Sequence, residues 1–181
     1  MREDLAESRL ERRAWLKLKP VPNGDFHLFP EGGLHHELKF DIENVGSLPA
    51  LDVWVDSRYV IDPDPMEKPP SCVLGKLADL NLRPRRTVFP GEVVRLDAPS
   101  QLVSRLEYDQ RLEPGQTRAR FVLRTCIYYR SGSGAAYHQT GSAYEVQVKT
   151  KRGQDVYLNL AGLTVREPNI SFVPVGGDYA D

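Results

Sequence analysis

Apolar and polar residues alternate through the run Leu34 to Val60, LHHELKFDIENVGSLPALDVWVDSRYV. Leu34, His36, Leu38, Phe40 and Ile42 share one phase; His35, Glu37, Lys39, Asp41 and Glu43 share the other. A period of two marks a strand with one buried and one wet face. After Asn44-Val45-Gly46, a second run sets Leu51, Val53 and Val55 against Asp52 and Asp56. The two runs predict an antiparallel pair joined by a short polar turn and holding the core.

The rest of the chain repeats this pattern in shorter pieces. Residues 2–14 are rich in Glu, Arg, Leu and Ala and predict a short helix with a thin apolar stripe. Trp15, Leu16 and Leu18 start a strand that Pro20 and Pro22 should end. Between Ile61 and Pro90, six prolines predict a long connection, with a short helix or edge strand around Val73 to Leu82. Phe89-Pro90-Gly91-Glu92 turns the chain into a strand from Val93 to Leu96, and Ser100 to Tyr108 reads as one helical excursion capped by Ser100. Phe121 to Tyr129 and Ala136 to Lys149 are strong strands about the hairpin tip Ser131-Gly132-Ser133-Gly134. Val156 to Leu160 and Ile170 to Val175 add further strands, and the end from Gly176 reads as a loose tail. Seven to nine short strands with little helix predict an all-β fold, an antiparallel sandwich rather than a closed barrel. The expected organisation is a helical segment over 1–14, one sandwich over 15–175 and a flexible tail over 176–181.

The chain has 181 residues, enough for one domain with a sizeable core. A formal net charge of −1 argues against a dedicated nucleic-acid binder. No apolar run of about 18 residues is present to span a bilayer, and the N-terminus has no secretory apolar stretch. A cytoplasmic protein is the expectation, membrane-associated if an anchor precedes the chain. Cys126 in its strand reads as a small hydrophobe and Cys72 as a loop thiol; reduced thiols are expected, with one bridge allowed.

Several turn motifs resemble a known group. Asn44-x-Gly46, Pro49-Ala50-Leu51-Asp52-Val53, the Pro90-Gly91-Glu92 turn and Tyr128-Tyr129-Arg130 before a glycine hairpin resemble immunoglobulin-like bacterial modules of the CARDB type. With Arg13-Ala14-Trp15, they are also similar to bacterial proteins in which an N-terminal membrane anchor leads through a charged helix into such a domain. The chain differs from that group in lacking the membrane segment and in carrying further strands after Asp155. The resemblance spans roughly Arg13 to Val148 and implies an immunoglobulin-like sandwich; it carries over no activity.

Candidate chemistry is sparse. His27 and His35, with Asp62 and Asp64 of the proline-rich connection, are the candidate metal ligands, and His138 and Glu67 join them in the ligand-binding reading. Against them stands the reading of surface histidines with His36 partly buried, and of a solvated acidic loop. No HExxH, CxxC or EF-hand pattern occurs. The Ser131 to Gly134 glycines lack the following helix that a phosphate cradle needs, and no nucleophile and base stand at a recognisable spacing. The candidate partner-binding residues are Trp54, on the opposite phase from Val53 and Val55, the basic run Arg83, Arg85 and Arg86, and the tip Ser131 and Gly132. Trp54 either packs under the N-terminal helix or anchors a partner. The expected function is thus a non-enzymatic β-sandwich that binds another protein, without a cofactor. The alternative is a small-ligand or metal-binding β-domain acting as a sensor.

Overall fold

The computed structural model describes residues 13–29, 33–61, 72, 85–98, 101–103, 115, 117–131, 137–150, 153–155, 157–159, 162–175 and 179–180. They form three antiparallel sheets. One joins β1 (Leu16–Pro22), β4 (Leu38–Asn44) and β7 (Val93–Asp97) in that order. Another runs β13 (Leu163–Val165), β2 (Phe26–Leu28), β3 (Leu34–His36) and β8 (Gln101–Val103). The largest runs β11 (Gly153–Asp155), β10 (Tyr137–Thr150), β9 (Arg118–Ser131), β5 (Ala50–Ile61) and β6 (Arg86–Val88). In that sheet β12 (Tyr157–Asn159) pairs with β9, and β14 (Ile170–Pro174) and β15 (Tyr179–Ala180) pair with β10. A 3-10 turn, Glu167–Asn169, precedes β14.

All three sheets send apolar side chains into one core. Phe40 and Ile42 come from β4, Phe26 and Leu34 from β2 and β3, and Val53, Phe121, Leu123, Ile127 and Val146 from the large sheet. Each such side chain, fully buried, contributes about 1.5–3 kcal/mol. His36 lies among them with no exposed surface. Its Nε2 is 3.2 Å from the carbonyl oxygen of Gly24 and its Nδ1 is 2.6 Å from the Tyr59 hydroxyl. A carbonyl only accepts, so Nε2 carries the proton and the Tyr59 hydroxyl donates to Nδ1. Burial holds the imidazole down at about 4, against the Gly24 carbonyl, which favours the charged form. Burial also pushes the Tyr59 phenol up.

The expected central hairpin does not form. β4 pairs with β1 and β7, while β5 pairs with β9 and β6. Residues 45–49 carry the chain from one sheet to the other, so the two apolar faces meet across the core instead of lying side by side. Leu34 to His36 also separates from β4, as β3 of another sheet. The phase of β5 shifts too. A bulge between Leu51 and Trp54 places Ala50, not Leu51, in the core. Asp52 takes φ of 52° there, a left-handed conformation that Asp tolerates better than most residues.

Pro20 lies inside β1, and Pro22 is its last residue, ending the strand as expected. Val45 N–H donates to the Trp15 carbonyl, and Tyr144 Oη donates to that of Leu18, so the even positions of β1 point away from β4. Both prolines occupy such outward positions, where no ladder bond is lost. Gln101–Val103 is a strand, not the start of a helix, because His36, His35 and Leu34 of β3 supply its pairing. The C-terminal stretch, expected loose, returns at Tyr179 and Ala180 to pair with Gly141 and Thr140. The predicted N-terminal helix and the element around Val73 to Leu82 lie outside the described residues.

Cys72 and Cys126 are joined by a disulfide, contrary to the expected free thiols. Cys126 is on the outward phase of β9, opposite Asp56 of β5, so it faces away from the main core. There it sits beside Trp54, Tyr128 and Cys72 in a second apolar cluster. Among the described residues no helix is long and apolar enough to cross a membrane.

Candidate interaction surface

The turn motifs converge on one buried residue. Asn44 has no exposed surface, and its side chain bonds four backbone groups. Its Nδ2 donates to the carbonyls of Leu48 at 2.8 Å and Val88 at 2.9 Å. Its Oδ1 accepts from the N–H of Gly46 at 3.0 Å and of Trp15 at 3.4 Å. The Asn44 backbone completes the junction, donating to the Glu92 carbonyl and accepting from Gly91 N–H. The Glu92 carboxylate accepts from Phe89 N–H at 2.8 Å, closing the Pro90-Gly91-Glu92 turn. Gly91, with φ of 76°, supplies the left-handed residue this turn needs.

Residues 13–15 lie across this junction. Ala14 N–H donates to Ser131 Oγ, and Tyr129 Oη donates to the Ala14 carbonyl. Arg13 stacks its guanidinium over the Trp15 ring at 3.6 Å. At Gly46 a methyl group would overlap the Arg13 carbonyl oxygen and the Trp15 nitrogen, so only glycine fits under the crossing chain.

The backbone of this corner is fixed, but four of its apolar side chains face solvent. Val45, Leu48, Phe89 and Val93 are 46%, 37%, 58% and 59% exposed. Each is, or directly follows, a residue bonded to Asn44 or Asn44 itself. Scattered exposed apolar residues are ordinary; four on the segments joined through Asn44, where two sheets meet, are candidates for an interaction site.

Beside them runs the outer edge of β7. Glu92 O accepts from Asn44 N–H, and Ala98 N–H donates to Leu38 O, so the even positions of β7 face β4. The N–H and C=O groups of Val93, Arg95 and Asp97 therefore point outward, and among the described residues no strand pairs with them. Arg95 forms a bidentate pair with Asp41, Nε to Oδ1 at 2.6 Å and Nη2 to Oδ2 at 2.9 Å. The Arg95 bond holds the Asp41 carboxyl below the usual range.

The residues singled out from sequence are dispersed. Ser131 joins the corner as the acceptor for Ala14. Arg85 and Arg86 lie at the start of β6, and Asp52 in the bulge is paired with Arg130, with Arg85 Nη1 at 4.0 Å. Trp54 is not an outward anchor: it is 8% exposed and stacks on Tyr128 at 4.1 Å. His27 and His35 are register partners on β2 and β3, with ring centroids 6.3 Å apart. Nδ1 of His27 is 3.2 Å from the Thr164 hydroxyl. Among the described residues no three His, Cys, Asp or Glu side chains gather to hold a metal ion. Arg83, Gly132, Asp62 and Asp64 lie outside the described residues.

The corner itself was half visible in the sequence. Asn44-x-Gly46 and Pro90-Gly91-Glu92 read as turns, but nothing local shows that they share one Asn side chain. A further feature is a groove of about 580 Å³ between β1 and β14, lined by Leu18, Pro20, Pro22, Tyr144, Phe172 and Pro174, with Lys17 and Lys19 beside them. Searches against family models, curated proteins and solved structures returned no match to this chain.

Proposed function

We propose that this is a non-enzymatic protein-interaction domain on an immunoglobulin-like scaffold, and that it binds its partner at the apolar corner around Asn44. The crossing of the chain between sheets after β4 supports the scaffold. The observation that carries the function is the set Val45, Leu48, Phe89 and Val93, exposed on a backbone held rigid by the Asn44 bonds. A rigid base lowers the ordering cost of binding, and the four side chains supply apolar area.

A benzophenone amino acid incorporated at Phe89 tests this in the native cell. One protein adduct should form at this position and be lost when Val45→Glu and Leu48→Glu are added. The same probe at Tyr157, 51% exposed and remote in register, should give none. No adduct from Phe89, or the same adduct from both positions, overturns the reading.

The groove between β1 and β14 supports a second reading, a small-ligand-binding β-domain. Its volume of about 580 Å³ lies within the usual range for ligand pockets. Native mass spectrometry of the purified protein checks it: a retained small molecule, released by Phe172→Ala, would favour this reading over the first.

A further inference from the structure

Four strand edges invite comparison. On β1, Pro20 and Pro22 occupy outward positions and present no N–H, and the Leu18 carbonyl is taken by Tyr144. On β14, Val175 N–H donates to Ala143 O, so the even positions face outward. There Ile170 N–H already donates to Glu167 O and Pro174 has no N–H, which leaves one outward donor. β6 has three residues. β7 has five, with three outward N–H groups and three outward carbonyls, and no proline. Proteins guard open edges with proline, charge or short length. Here β1 and β14 carry proline and β6 is short; β7 carries the charges of Arg95, already paired with Asp41, and Asp97, and among the described residues no strand covers its edge beside the exposed Phe89 and Val93.

We infer that β7 is a strand-addition site, and that its occupant is an extended, proline-free segment of about five residues from a different protein. This rests on the interaction reading above and names how that partner is held. The outward backbone groups give ladder bonds, and alternate side chains give selectivity. On the core side the added strand lies beside Val94 and Leu96, so its residues there are apolar. On the outer side an apolar residue matches Val93, and a basic or polar one matches the exposed Asp97. A second copy of this chain fits poorly. Pairing β7 with itself about Arg95 sets Arg95 against Arg95 and Val93 against Asp97. Like charges directly opposite destabilise a ladder.

The test uses proline at outward positions, which the fold already accepts on β1. A phage-displayed library of 12-residue peptides is panned on the wild-type domain. Selected peptides are then measured against Val93→Pro and against Asp97→Pro, each checked for an unchanged melting temperature. Binding should weaken at least about tenfold in both variants. The amides of Val93, Arg95 and Asp97 should exchange fast in the isolated domain and become protected on peptide binding. Equal binding to wild type and both proline variants, failure to select any peptide, or protection of these amides without peptide overturns the inference. The benzophenone probe at Phe89 separates the two readings. An adduct that survives in Val93→Pro keeps the interaction domain and removes strand addition. Absence of any adduct in the wild type removes the docking corner itself.

Discussion

His36 makes the stability of this protein depend on pH in a window set by its burial. The native imidazole is held at about 4, against an ordinary 6.5 in the unfolded chain. Between these values the unfolded chain binds a proton that the native state refuses, so stability rises with pH there. The contribution is complete above pH 6.5, falls as pH drops towards 4, and changes no further below. At about 1.4 kcal/mol per pH unit, the gap amounts to about 3 kcal/mol. That is a large share of the 5–15 kcal/mol that about this size of domain has in total. The perturbation is the pair His36→Leu with Tyr59→Phe, which removes the titrating group and the hydroxyl that donates to it. Changing His36 alone would strand a buried hydroxyl at a cost of about 1–3 kcal/mol and confuse the reading.

Urea unfolding, followed by circular dichroism from about pH 8 to about pH 4, measures both proteins. Carboxylates such as Asp41 titrate in both and cancel in the difference. Wild type should lose about 3 kcal/mol more than the double variant across the window. Parallel curves would refute the reasoning, because they would mean that His36 takes up its proton in the native state as readily as in the unfolded one.

Three further outcomes follow. Reducing the Cys72–Cys126 bond, or replacing both residues by Ser, opens a loop with a sequence separation of 54 and should cost about 4 kcal/mol in urea unfolding. Mass spectrometry after alkylation of the unreduced, denatured protein should find neither cysteine labelled; labelling of both refutes the bond. Gly46→Ala should lower stability by about 1–3 kcal/mol, because the methyl group meets backbone rather than a yielding side chain. An unchanged melting temperature would mean that the Arg13 to Trp15 crossing is looser than described.

What the sequence reveals here depends on the length of each element. β4, β9 and β10 span at least seven residues each, and their alternation is plain. β2, β3, β8, β11, β12 and β13 span three, too few for a period to show, and they raise the strand count well above the seven to nine expected. Alternation also says which face is buried but not which strand lies alongside. That is why β4 and β5 looked like a hairpin although they belong to different sheets. The bulge at Asp52 breaks the alternation without any Gly or Pro to announce it. His36 stands in the buried phase, but its partner Tyr59 lies 23 residues away in another sheet. The β7 strand was legible from Val93 to Leu96; its open edge is a property of the assembled sheet and has no local signature.

The corner around Asn44 separates what folds the domain from what its surface offers. Every bond from the Asn44 side chain ends on a backbone group, of Trp15, Gly46, Leu48 or Val88. The side chains of Val45, Leu48, Phe89 and Val93 take no part in holding the junction, so they are free to be chosen for binding. The two sets should therefore respond differently to substitution. Asn44→Ala removes the side-chain donor from the buried Val88 carbonyl and the part-buried Leu48 carbonyl and should cost about 2–5 kcal/mol. Phe89→Ser with Val93→Thr alters exposed positions and should shift stability by no more than about 0.5 kcal/mol per site. The same double change should abolish peptide binding at β7. Melting temperature and peptide affinity, measured on both variants, give the answer together. If Phe89→Ser with Val93→Thr unfolds the domain, the apolar corner is a misplaced piece of core. If it leaves both stability and affinity intact, the corner is neither core nor docking surface, and the exposed Phe89 and Val93 have no part in what this domain binds.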